Sequence, residues 1–180
     1  MRLSSIFHKN KPTKATSGAH MTIRGITFIL SLCIGLAFPA YAAQNIPWGT
    51  GHAQEVNYSP QKVVYDVAVS SVARLNNILD RVSYLNKLYH ADPFQTSIVL
   101  VLHGDEIPFF ATKNYPKYRE LMQRAQSLTV GDTIKFKMCK LAAQAHGFKP
   151  EEIHGFVEIV PMADAEIVRL QREEGHAYMQ

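Results

Sequence analysis

Residues 133–147 read TIKFKMCKLAAQAHG. Ile134, Phe136 and Met138 alternate with Lys135 and Lys137, the two-residue period of a strand with one face wet or turned to a partner. From about Lys140 the segment reads as a helix that ends at Gly147, a residue suited to the left-handed position after a helix end. Cys139 stands at the junction. A strand passing directly into a helix is one half of a repeating unit, and the rest of the chain supplies the others.

Upstream, residues 62–69 (KVVYDVAV) and 96–102 (TSIVLVL) are near-continuous apolar runs, as expected of strands buried on both faces. Between them Val72, Leu75, Ile78, Leu79, Val82, Leu85 and Leu88 recur at three- and four-residue spacing, the stripe of a helix lying on a sheet. A second helix is marked by Tyr118, Leu121, Met122, Ala125 and Leu128. Pro108, Phe109 and Phe110 form an apolar loop or short helix before it. Downstream, residues 156–160 (FVEIV) make a fourth strand and Ala165, Ile167, Val168 and Leu170 a last helix, after which Gly175 releases a short tail, HAYMQ. Strands alternating with helices require crossovers between parallel neighbours. The expected fold is therefore α/β: a small three-layer α/β/α domain, flavodoxin-like, with a mostly parallel sheet of four to five strands.

The first 42 residues read as a leader. Arg24 precedes the apolar run GITFILSLCIGLAF, and Ala40-Tyr41-Ala42 offers the small-x-small pattern of a signal peptidase site. The run is shorter than the roughly 20 apolar residues of a transmembrane helix, so no stable membrane anchor is expected after cleavage. Met21 is an alternative start. Leu32 before Cys33 does not suit lipidation. The expected location is the periplasm or the exterior. Residues 43–60 read as a flexible arm, with Trp48 available to anchor it, and residues 61–180 as the domain.

With the leader go Arg2, Lys9, Lys11, Lys14 and Arg24, leaving fourteen basic residues against fifteen acidic ones. The basic character of the whole chain belongs to the leader, and a nucleic-acid partner loses its main support. Cys139 is then the only cysteine, so no internal disulfide can form. An exported lone thiol is inert, paired with another chain, or kept for its reactivity.

Sites in such sheets form at the carboxyl ends of the strands. Three ends carry polar groups: Ser70 and Ser71 after the first strand, His103 and Gly104 after the second, and Cys139 after the third. At the start of a helix, with Lys137 and Lys140 beside it, Cys139 is placed to favour the thiolate, its reactive form. An unpaired cysteine packed as a small hydrophobe is the alternative. His103 is a candidate base for the thiol; His146 and His154, flanking a turn, read as solvated. No closely spaced His/Cys pair of the zinc type is present, and neither G-x-G-x-x-G after the first strand nor G-K-[ST] occurs. No metal and no cofactor are expected.

The stretches KVVYDVAV, LNNILDRVSYLNKL, IVLVLHGDEI, IKFKMCKLAAQAHG and FVEIVPMADAEIVRLQREEGHAYM, in this order and spacing, resemble the DsrE/DsrF-like sulfur-relay family over about residues 62–179. The resemblance maps the family's sulfur-accepting cysteine onto Cys139. It implies a trimer or hexamer, which would suit Phe109, Phe110 and the half-polar third strand as subunit contacts; local packing inside one subunit is the alternative for these residues. Ala163 and His176 stand where many relatives have a glycine and a tyrosine. On this basis Cys139 would be the nucleophile and Lys137 and Lys140 would stabilise its anion. His103, Gly104, Ser70 and Ser71 would line the pocket, and a sulfur donor and an acceptor protein would be the partners. The rival expectation is a non-enzymatic oligomeric binding module in which Cys139 is structural.

Overall fold

The apolar runs pair into a single sheet. β1 (Lys62–Val67), β2 (Ser97–Leu102), β3 (Ile134–Cys139), β4 (Val157–Val160) and β5 (Ala177–Met179) are all parallel, in the order β4-β3-β2-β1-β5. The computed structural model describes residues 47–180, of which His52–Gln180 form one compact unit. The expected leader and its cleavage site lie outside the described residues. Residues 49–61 form no regular element.

Three steps in one direction, β1 to β2 to β3 to β4, place their right-handed crossovers on one face of the sheet. These crossovers contain α1 (Val72–Leu88), α2 (Tyr115–Leu128) and the six-residue α3 (Lys140–Ala145). Leu75, Leu79 and Val82 of α1, Leu121 and Met122 of α2, and Ala143 of α3 meet Val63, Tyr65, Leu100, Phe136 and Met138 in the main core. Complete burial of a side chain such as Leu79 or Phe136 contributes about 1.5–3 kcal/mol.

The chain then returns from β4 to the far side of β1. That reversal puts α4 (Ala163–Glu173) on the other face. Ala163, Ile167 and Leu170 cover Val64, Val99, Val101 and Cys139 there. Lys137 points to this face and donates from Nζ to Glu166 Oε1 at 2.6 Å. Arg169 grips the same carboxylate through Nε at 2.9 Å and Nη2 at 2.7 Å. These bonds, Arg169 first and then Lys137, outweigh the opposing effect of burial and hold the Glu166 pKa down at about 2.

Beyond β1 and β2, one acidic side chain joins the two strand ends. Glu106 is fully buried; its Oε2 accepts from Val69 N at 2.8 Å and its Oε1 from Gly104 N at 2.9 Å. Burial pushes its pKa up, while the two backbone donors pull the other way. Gly104 is required by space: a Cβ there would lie 2.6 Å from Ala68 Cα and 2.8 Å from Glu106 Oε2.

Several expectations change. The tail after Gly175 is a strand: β5 pairs with β1 through Val63–Ala177, Val64–Tyr178 and Tyr65–Met179, and His176 is buried, bonded to Ser97 Oγ at 3.0 Å and Leu170 O at 3.1 Å. Three residues are too few to show a period, and edge pairing decides their conformation. Phe109 and Phe110 are buried within the single chain, so they serve local packing and offer no subunit surface. His154 is only partly exposed. Its ring stacks on Phe156 with centroids 5.9 Å apart and meets Tyr115 edge-on. Its Nε2 has no hydrogen-bond partner among the described residues, and burial lowers its pKa.

Two outcomes follow from this architecture. Gly104→Ala is expected to destabilise the domain by about 1–3 kcal/mol, the usual cost of overpacking, seen as a lower urea midpoint. A depressed carboxylate pKa stabilises the fold above the group's ordinary value of 4.5, and that contribution disappears as pH falls towards about 2. Glu166→Gln should therefore flatten the loss of stability between those two pH values, measured by urea unfolding at a series of pH.

Candidate functional site at the carboxyl edge of the sheet

Cys139 is the last residue of β3 and the residue from which α3 starts. It lies on the face that α4 covers, within the cluster containing Val101 and Ala163, and is only 5% exposed. The β2–β3 register ends at Leu102–Met138, so the next residues, His103 and Cys139, stand level at the carboxyl edge. His103 N continues the ladder by donating to Val67 O at 3.1 Å.

His103 is held from below. Its Nε2 bonds Asp66 Oδ1, and the other Asp66 oxygen accepts from the Tyr178 hydroxyl at 2.5 Å. The β1–β5 pairing sets this up, because Val64 and Tyr178 are partners and Asp66 is two residues along the same face. Burial acts to raise the Asp66 pKa, but the bonds from Tyr178 and His103 outweigh it and keep the carboxyl below its usual range. The bond to Asp66 raises the Tyr178 pKa, so its phenol is a donor at neutral pH. With Nε2 fixed on Asp66, Nδ1 is the imidazole nitrogen left for a reacting group.

The remaining expected residues divide. Gly104 sits at the β1–β2 edge, tied by its N–H to Glu106. Lys140 is exposed at the first position of α3. The ammonium of Lys137 is engaged by Glu166 and, at 3.5 Å, by Glu158, so it is not a free cation beside the thiol. Ser71 is the N-cap of α1, accepting from Arg74 N at 3.3 Å, and Ser70 is exposed. Among the described residues no group of three or more His, Cys, Asp or Glu side chains could hold a metal ion, and no helix is long and apolar enough to cross a membrane.

Sequence reasoning missed Asp66 and Tyr178. Asp66 did leave a signal, as the one acidic residue inside the apolar run KVVYDVAV. Tyr178 left none, since its role depends on β5 forming.

The model of the DsrE/DsrF-like family matches residues 68–180, a span that contains His103, Gly104, Cys139 and Tyr178 and begins just past Asp66. No curated protein matches the chain. A solved structure of a protein of unknown function from Methanobacterium thermoautotrophicum is similar to it, with a TM-score of 0.50 and 21% identity over 66% of this chain and 97% of that one. At that identity the likeness is one of fold. With the family model matching well over half its length, from the end of β1 through β5, the chain belongs to the DsrE/DsrF-like family.

Proposed function

We propose that this protein accepts sulfane sulfur as a persulfide on Cys139 and passes it to an acceptor, acting as an exported homo-oligomer, trimeric or hexameric, in the periplasm or outside the cell. The observation that carries the reading is the placement of Cys139 level with a histidine whose other nitrogen is fixed by Asp66. The family supports a sulfur-relay type of protein; the leader, residues 1–42, supports export.

In the proposed step His103 takes the Cys139 proton, and the thiolate attacks the terminal sulfur of a donor persulfide. The donor S–S bond breaks as the Cys139 S–S bond forms, and the departing thiolate takes up the proton from His103. The exchange has no net oxidation. An acceptor thiol then attacks the carried sulfur in the same way. A cysteine only 5% exposed favours low-molecular-weight persulfides and polysulfides over bulky protein donors.

The same burial favours a second reading, in which Cys139 is a packing residue of the cluster under α4 and the domain is a non-enzymatic binding module. Intact mass after exposure to inorganic polysulfide separates the two. Under the carrier reading the chain beginning at Ala43 gains one reducible sulfur and Cys139→Ser gains none. No gain in the parent, with Cys139 unreactive to alkylation until unfolding, leaves the structural reading.

A second experiment concerns His103. In the carrier reading, His103→Ala slows persulfide formation by on the order of 10²-fold, the lower range for a positioned base. Asp66→Asn acts in the same direction and moves the pH profile of the rate. Stopped-flow measurement across pH checks both; equal rates in all three proteins would remove His103 from the reaction.

A further inference from the structure

A cleft of about 720 Å³ opens between α1 and α2, on the sheet face opposite Cys139. Its size falls within the range of small-molecule sites. Val72 of α1 and Pro116 of α2, both exposed, give it an apolar strip, with Leu121 buried beneath. Asn76, Lys117, Arg119 and Arg124 supply polar groups, with Glu120 the one acid in the lining.

The cations are arranged in two ways. Arg124 is tied down: Nη1 donates to Asn76 Oδ1 at 2.9 Å and Nη2 to Asp80, which fixes one wall. Lys117 and Arg119 have no carboxylate partner among the described residues. Instead Lys117 Nζ lies 5.0 Å from the centre of the Tyr118 ring and the Arg119 guanidinium 5.7 Å from that of Tyr115. An aromatic face orients a cation without neutralising it. The lining therefore carries Lys117 and Arg119 on either side of Tyr118 with Glu120 beside them, a net positive charge next to an apolar strip.

The backbone is irregular at the same place. Tyr118 leaves helical geometry inside α2, at φ −115° and ψ 25°, and interrupts the helix between the two cations. The concentration of charge is local: Lys113, Lys117, Arg119 and Arg124 fall within twelve residues of a chain that, without its leader, has fourteen basic and fifteen acidic groups.

From this combination we infer that the α1–α2 cleft binds a small organic anion, a phosphate or carboxylate on an apolar body, with Lys117 and Arg119 engaging the charged group and Val72 and Pro116 the body. This site does not depend on the chemistry of Cys139.

The test is a titration of the isotopically labelled chain from Ala43 with phenyl phosphate, benzoate and benzyl alcohol, followed by amide NMR and repeated on Cys139→Ser. Saturable shifts at Val72, Asn76, Tyr118 and Leu121 with either anion, absent with benzyl alcohol and unchanged in Cys139→Ser, are expected. The double variant Lys117→Gln/Arg119→Gln changes two exposed side chains. It should retain the native spectrum and bind at least about tenfold more weakly, as for lost charged hydrogen bonds. Equal shifts with benzyl alcohol, undiminished binding by the double variant, or no saturable shift at these amides would overturn the inference. If the anions bind while Cys139 takes up no sulfur, the carrier reading fails and this one stands.

Discussion

Glu106 is a buried carboxylate whose two oxygens hold the backbone N–H groups of Val69 and Gly104. Those groups lie just past the ends of β1 and β2, where a parallel ladder runs out and its donors would otherwise be left unpaired in the interior. The side chain finishes the ladder. It can do so only because Gly104 has no Cβ to collide with Ala68. His103 immediately precedes that glycine, and Asp66 immediately precedes the last residue of β1. The carboxylate thus closes the strand ends that carry the imidazole and Asp66, whose register is set by the ladder and its last bond, His103 N to Val67 O.

The second constraint is topological. Three crossovers on one face and a single return helix on the other leave α4 to cover the opposite side by itself. It lies over β1 and β2 and reaches β3 through Cys139 packing and the Lys137–Glu166 bond. The lysine in the KFKM strand is thus half-buried in an ion pair that docks a helix. The alternation was read as a face partly wet or turned to a partner; at Lys137 that face is covered by α4 of the same chain, whose Glu166 lies 29 residues later, where no local pattern could name it.

Legibility varied in the same way. Long apolar runs and long helical stripes identified β1, β2, α1 and α2, because burial on both faces or on one stripe leaves a periodic trace. Cys139 at a strand-to-helix junction was visible because the period changes there. Ser71 was visible as a polar residue at a strand end, and its hydroxyl caps α1. His154 was read as wet because turn residues usually are; three-dimensional packing against Phe156 and Tyr115 determines its state. Asp66 and Tyr178 became a pair only through the parallel docking of β5 on β1, a contact between distant segments that neither composition nor period records.

The strands at the two margins of the sheet are short. β4 has four residues and β5 three, against six in each inner strand. A brief margin offers little unpaired backbone for a neighbouring chain to extend, which is one way natural sheets discourage indiscriminate strand addition. Copies of this molecule that come together have side chains and helix surfaces to use as contacts, and scarcely any ribbon to continue.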